Sequence, residues 1–156
     1  MAQTTAQISA VDAKIEVSAA GSVWTDISGT ANKVDISPQD RNVGSQFTFD
    51  GDGAVLTYGK RQPVDVTVTA LYTETATTEA FEFVRALFET VDGANMYLRW
   101  TPIGEVAVGG RSVFSTGAGK IASFQYPNVD AASGDPILFT FTVRAGLITR
   151  TASVTA

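Results

Sequence analysis

The stretch PVDVTVTALY, residues 63–72, decides the fold class of this chain. Apolar and polar residues alternate through it with a period of two, which places one set on each face of a β-strand. The apolar positions are Val64, Val66, Val68 and Ala70, and the polar positions are Asp65, Thr67 and Thr69. We therefore predict a strand with one face in a core and a Thr-rich face turned away from it.

The same alternation recurs on both sides of this stretch, so we predict a series of strands. The predicted segments are 13–19, 22–28, 32–37, 45–50, 95–100, 112–116, 120–126 and 136–145, with 147–154 as a candidate edge strand. The run DGDG at 50–53 interrupts the pattern between two strand-like segments. Glycine and aspartate are typical of turns, so we predict a long loop or hairpin at about 38–62.

One segment, TTEAFEFVRALFETVDG at 77–93, has a helical period instead. Its apolar residues recur at spacings of three and four, which is typical of an amphipathic helix. They are Ala80, Phe81, Val84, Leu87, Phe88 and Val91. Thr78 is the expected N-cap and Gly93 the expected left-handed stop. We predict one α-helix at about 78–91.

The order of elements indicates an α+β, mainly β fold, because no repeated βα unit is present. We predict two packed antiparallel sheets, as a sandwich or partial barrel, flanked by the one helix. We predict that residues 1–156 form a single domain, with an N-terminal arm at 1–12 and a C-terminal tail at 146–156. Open sheet edges would be templates for pairing with another copy, and ring closure would remove them.

The composition excludes several classes of function. The 156 residues contain no Cys and no His, which removes the commonest general base and every Ser-His or Cys-His arrangement. The net charge is −5, and no run of Lys or Arg could bind a row of phosphates tightly. We see no signal sequence and no apolar run of transmembrane length, so we predict synthesis in the cytoplasm and no membrane partner.

Two ligand motifs fail on inspection. A calcium loop counted from Asp50 would need an oxygen ligand at position five, Gly at position six and Glu at position twelve. Those positions hold Ala54, Val55 and Arg61. The run STGAGKI at 115–121 resembles the end of a P-loop but has Ile where magnesium binding needs Ser or Thr. We predict no catalytic, metal-binding or cofactor-binding residues and no cofactor, and the chain is not expected to be an enzyme.

Exposed aromatic residues leave a binding module open as an alternative. Trp24, Tyr58 and Tyr97 could form a concave platform of a β-sandwich that binds carbohydrate or peptide. Trp100 instead continues the apolar face of Met96 and Leu98, so we assign it to the core.

Three runs carry a resemblance to a known family. WTDISGTANKVDIS (24–37), FTFDGDGAVLTYGKRQPVDVTVTALYTE (47–74) and the helix EAFEFVRALFE (79–89) resemble the major tail-tube proteins of long-tailed, siphovirus-like bacteriophages. The turn Gly59–Pro63 and the helix core from Phe81 to Phe88 carry most of it.

The resemblance implies a structural virion protein without a cofactor. Such proteins form stacked hexameric rings, whose inner sheets join into a β-barrel around a channel that conducts double-stranded DNA during ejection. The channel is typically acidic, so DNA passes transiently and non-specifically. Implied partners are further copies of the chain and the tape measure, terminator and distal tail proteins. The location would be the virion tail, after synthesis in the bacterial host. A tail terminator and a tube protein of a contractile tail or injection system remain alternatives.

Two sets of candidate residues follow from this reading. The first would make contacts between subunits or rings and consists of Asp40, Arg41, Asp50, Asp52, Tyr58, Lys60 and Arg61. The second would face the lumen and consists of Asp65, Thr67, Thr69, Arg99, Thr140, Thr142 and Arg144. Opposite charges on the two arms of the 38–62 segment, acidic at Asp50 and Asp52 and basic at Lys60 and Arg61, would help to set the stacking register.

Overall fold

A computed structural model describes residues 10–74, 79–103 and 112–152. The prediction of an α+β, mainly β fold is confirmed over these residues. After a short 3-10 turn at Ala10–Asp12, the elements are β1 (Lys14–Ser18), β2 (Thr25–Asp26), β3 (Ala31–Ile36), β4 (Arg41–Gln46), β5 (Val55–Arg61), β6 (Val64–Leu71), α1 (Ala80–Phe88), β7 (Asn95–Thr101), β8 (Ser112–Ser115), β9 (Gly119–Gln125), β10 (Leu138–Ala145) and β11 (Thr149–Ala152). No helix in this part of the chain is long and apolar enough to cross a membrane.

Strand β7 joins two halves of one antiparallel sheet. The order β11-β8-β7-β9-β10-β6-β3 runs across the sheet, and β1, followed by β2, pairs on the other side of β7. Asn95 and Met96 at the start of β7 pair with β9, whereas Arg99 and Trp100 near its end pair with β8, and residues 97–101 also pair with β1. The strand thus changes partner along its length, which lets the two halves pack on a shared core.

The core lies between the two halves, as the alternation in β6 predicts. Every second residue of β6 is buried and the residues between are half-buried. Val68 faces Phe141 across the ladder, and both are fully buried. Val17 of β1 and Leu98 of β7 belong to the same apolar cluster. Trp100 also packs against this cluster, in agreement with its assignment to the core.

The helix closes one end of this core but is shorter than predicted. Phe81 and Val84 are buried, and the Phe81 ring meets the rings of Phe124 and Phe139 at 5.6 and 5.3 Å. Val91, which the period placed on the buried stripe, is 86% exposed because the helix ends at Phe88, before it.

The left-handed backbone predicted after the helix is confirmed, whereas the N-cap position is held by a residue other than the one predicted. Glu79 occupies the N-cap position, while Thr78 lies outside the described residues. Gly93 has the predicted left-handed backbone, with φ of 68°.

The segment from 38 to 62 is a hairpin, as predicted, and forms a separate two-stranded sheet of β4 and β5. Gly59 allows the arms to approach: a Cβ there would lie 3.0 Å from the Cβ of Asn42, where the register shifts. The predicted strand at 45–50 is right only for Ser45 and Gln46, because β4 ends at Gln46 and the following residues form the loop at the tip.

Two further segments differ from the predicted strands in extent. Only Thr25–Asp26 of the predicted strand at 22–28 pairs with a neighbour. Within the predicted C-terminal tail, Thr149–Ala152 pairs with β8 as an edge strand, in agreement with the candidate strand at 147–154.

Candidate functional site

A polar face covers the side of β6 and β10 that is turned away from the core. The two strands run antiparallel, and three polar pairs stand directly opposite one another. The Asp65 carboxylate accepts two hydrogen bonds from the Arg144 guanidinium, at 2.7 and 2.8 Å. The pair Thr67 and Thr142 has its hydroxyl oxygens 2.9 Å apart, and Thr140 donates to Thr69 at 3.5 Å. Six of the seven residues predicted to face the lumen therefore share one ladder.

The polar face continues onto the neighbouring strands on both sides. On β3, the Lys33 ammonium lies 2.9 Å from the Asp35 carboxylate, and these residues stand opposite Thr69 and Thr67. On β9, Lys120 stands opposite Arg144 and donates to the Gly93 carbonyl at 3.1 Å. The four strands β3, β6, β10 and β9 thus present one contiguous polar surface, and its carboxylates are each paired with a cation.

The charge state of the central pair is set by its hydrogen bonds. The bonds from Arg144 hold the pKa of Asp65 below its ordinary value, although partial burial opposes the shift. The same bonds raise the pKa of Arg144. Both groups are therefore ionised at neutral pH, and the pair contributes no net charge to the surface.

Arg99, the seventh predicted residue, has different partners. It lies on β7 opposite Glu16 of β1, and its Nε donates to that carboxylate at 2.5 Å. Its guanidinium also lies 4.1 Å from the centre of the Trp24 ring, a cation–π contact. The Lys14 ammonium is 3.3 Å from Glu16, which is only 6% exposed. A half-buried ionic cluster in the β1 half therefore holds Arg99, away from the pairs on β6 and β10.

All seven residues predicted to contact a neighbouring subunit lie on the hairpin or at its base, and all are exposed. The Gln62 N–H donates to the Asp40 carbonyl at 2.8 Å, which closes the base. Arg41 stands opposite Arg61 and also lies 5.8 Å from the centre of the Tyr58 ring. Asp50 and Asp52 are at the tip, and Lys60 and Arg61 at the end of β5.

The apolar residues of the hairpin were missed by the sequence analysis, which treated the segment as a charged excursion. Phe49 is fully exposed and Phe47 is 75% exposed at the tip. Further exposed apolar side chains on the arms are Val43, Val55 and Leu56. The sequence did contain a signal for this exposed apolar tip, namely an aromatic pair beside an acidic turn with apolar residues on both arms of the hairpin. Exposed apolar side chains gathered on one hairpin make it a candidate interaction surface.

Two sheet edges flank the polar face. β3 is the last strand on one side, and its outer edge has no partner strand in the described part of the chain. On the other side, β9 pairs with β7 through Gly119 and Lys120, and beyond them no strand among the described residues pairs with its outer edge. Unpaired backbone donors and acceptors on such edges are templates for strand pairing.

The three aromatic residues considered for a binding platform have different surroundings. Trp24 contacts Arg99, whereas Tyr58 stands on the hairpin beside Arg41. Tyr97 lies against Gly21, where a Cβ would be 2.9 Å from its ring. The structure does not bring the three rings together into one platform.

No model of a known protein family and no curated protein matches the sequence. Solved structures do match. A chain in the PVC sheath/tube terminator of an extracellular contractile injection system, in the extended state, has a TM-score of 0.74 at 14% identity, over 96% of this chain and 100% of that one. A chain in the PVC sheath-tube complex has a TM-score of 0.72 at 14% identity, covering 97% and 99%.

A third match is to the tail of an empty gene transfer agent particle with C6 symmetry, with a TM-score of 0.60 at 16% identity, covering 97% and 100%. This chain shares its fold with components of tails and injection systems. At these identities the likeness shows a shared fold, and it does not single out the long-tailed phages.

Proposed function

We propose that this protein is a structural subunit that polymerises into stacked, hexameric rings and forms the tube of a phage-like tail or injection particle. The observation that carries the proposal is the pair of open edges, on β3 and β9, on either side of one polar face. The likeness to chains of tail and injection assemblies, over nearly the whole length, supports it. One of those structures, the tail of the gene transfer agent particle, has C6 symmetry.

Ring closure follows from the edges. The outer edge of β3 in one subunit pairs with the outer edge of β9 in the next, which satisfies the unpaired backbone groups of both strands. Repeated around the ring, this pairing produces a continuous barrel without edges. The face with Thr67, Thr69, Thr140 and Thr142 then lines the channel, and the apolar core stays between the sheet halves.

Contact between rings is assigned to the hairpin. Its apolar tip, with Phe47 and Phe49, is covered when it reaches a subunit of the adjacent ring. Burial of exposed apolar surface contributes about 25 cal/mol per Å². The side chains of Phe47 and Phe49 would therefore contribute favourably to the stacking of one ring of subunits on the next. Asp50 and Asp52 at the tip and Lys60 and Arg61 at the base then set the register through their charges.

A tube protein of a contractile system is the second candidate, and a specific observation favours it. The two injection-system chains have TM-scores of 0.74 and 0.72, against 0.60 for the tail chain. In either version the protein resides in the particle and meets the tape measure, terminator and distal tail proteins. The channel passes double-stranded DNA in the tail version. A sheath around native particles distinguishes the two.

Negative-stain electron microscopy of the purified protein tests the proposal. We expect stacked rings around a central pore, with sixfold class averages. The charge reversal Lys60→Glu with Arg61→Glu should impair stacking while the thermal unfolding curve stays that of wild type. The swap Lys60→Arg with Arg61→Lys keeps both charges and is the matched control. A protein that stays monomeric at high concentration would refute the proposal, and normal tubes from the reversal variant would refute the role of the hairpin charges.

A further inference from the structure

We propose that Asp65 prevents Arg144 from binding phosphate, so that the polar face passes a polyanion without retaining it. The inference rests on the proposed function, in which this face lines the channel. It replaces the expectation of an acidic channel: local pairing of charges, rather than net negative charge, would keep DNA from adhering.

The polar face is not acidic. Its charged residues are the cations Lys33, Lys120 and Arg144 and the anions Asp35 and Asp65, three against two. The net charge of −5 therefore arises elsewhere on the molecule. Carboxylates off this face stand at the hairpin tip and in the loop before β10. The face that lines the channel therefore does not repel phosphate through a net negative charge.

The geometry of the central pair explains how the face avoids phosphate. The Arg144 side chain is 60% exposed, so its position alone would leave it open to a ligand. The planar fork of a guanidinium binds phosphate and carboxylate in the same bidentate manner. Both oxygens of Asp65 already occupy that fork, through Nε and one terminal nitrogen. A phosphate would have to displace this preorganised carboxylate to bind at the same edge of the guanidinium, and at the N–H groups that remain the adjacent carboxylate charge would repel it.

The rest of the face offers phosphate one cation without a paired carboxylate in the described residues, Lys120, whose ammonium donates to the Gly93 carbonyl. Asp35 neutralises Lys33 in the same way, at 2.9 Å. The hydroxyl groups of Thr67 and Thr142 bond to each other. Such pairs leave a neutral surface along the middle of β6 and β10. A ring multiplies any unpaired Arg144 by its number of subunits, so loss of Asp65 would create a belt of cations.

The test compares two variants that change the net charge equally. Asp65→Asn frees Arg144, whereas Asp135→Asn removes an exposed carboxylate from the loop before β10. Tubes are assembled with a fluorescent 30-base-pair DNA duplex, treated with nuclease and sedimented at several salt concentrations. Wild-type and Asp135→Asn tubes should protect little DNA. Asp65→Asn tubes should retain it, and the double variant Asp65→Asn with Arg144→Gln should return to the wild-type level.

The salt dependence identifies the cause. If about five freed arginines contact one duplex, affinity should fall about 500-fold between 50 and 200 mM salt, through release of counterions. Equal retention by Asp65→Asn and Asp135→Asn would overturn the inference, because net charge would then be responsible. So would an Asp65→Asn variant that binds no more DNA than wild type.

The outcomes for the proposed function are separate. If none of the proteins assembles, the proposed function fails, and the same titration on soluble protein still decides whether Asp65 shields Arg144. If tubes form and Asp65→Asn behaves as wild type, only the inference fails. Thermal unfolding of each variant confirms that the exposed pair can be changed without loss of the fold.

Discussion

Replacement of Gly119 by Ala should destabilise the protein at the junction of its two sheet halves. Gly119 begins β9, where it is buried and stands opposite Met96 of β7. A Cβ at this position would lie 2.6 Å from Val143 Cγ1, 3.0 Å from the Arg144 carbonyl oxygen and 3.2 Å from the Met96 carbonyl oxygen. Two of these neighbours are backbone atoms of paired strands, so they cannot move without disturbing the ladder.

The expected size follows from the cost of overpacking. An added methyl group in a closely packed site costs about 1–3 kcal/mol. For a domain of this length, each kcal/mol lowers Tm by about 2–4 °C, so a loss of about 2 kcal/mol corresponds to about 4–8 °C. Differential scanning calorimetry and urea denaturation measure both quantities.

Gly134→Ala is the matched control. No atom lies within 4 Å of the position of its Cβ, and its backbone is not in the left-handed region. The control should be neutral or slightly stabilising, because alanine restricts the unfolded chain. If Gly119→Ala and Gly134→Ala unfold within about 1 °C of each other, the close approach of β7, β9 and β10 at this junction is wrong.

Three further predictions concern the core and the polar face. Thr116→Val should cost about 1–3 kcal/mol in urea denaturation, because the Leu98 N–H, which donates to the buried Thr116 hydroxyl at 3.1 Å, loses its acceptor; Thr116→Ser should retain most of the stability. Phe141→Ala should cost about 3–5 kcal/mol, since this side chain is fully buried, and a loss below 1 kcal/mol would contradict its place in the core. Arg144 lowers the pKa of Asp65 from 3.8, so the pair should stabilise the fold above pH 3.8 and lose that effect as the pH falls further. The Tm difference between wild type and Asp65→Asn should therefore be constant near neutral pH and shrink in acid, and a difference independent of pH would refute the ionic contact.

The fold class and the β6 face could be predicted because the period of two is a local property of the sequence. The alternation from Val64 to Ala70 placed the core side correctly, and the polar side holds the partners that the structure pairs with β10. The helix was found by its period but not its end, since Val91 fits the stripe and yet follows the last turn. Periodicity indicates which face is apolar and does not indicate where backbone hydrogen bonding stops.

Other features depend on contacts between residues far apart in the chain. The alternation of Phe47 and Phe49 looked like a strand, but no strand in the described part of the chain pairs with them and they form an exposed tip. Arg99 has the same local pattern as Arg144, yet it pairs with Glu16, which lies 83 residues earlier.

The sequence by itself determined the alternating strands, the single helix and the absence of His and Cys, because these depend on residue type and local spacing. Only the tertiary structure decided which charges neutralise one another and which edges stay open. Asp65 and Arg144 are 79 residues apart, and their register follows from the antiparallel pairing of β6 with β10. Pairing between distant strands is fixed by the packing of the whole core, so no local pattern could have shown that Asp65 neutralises Arg144 on the polar face.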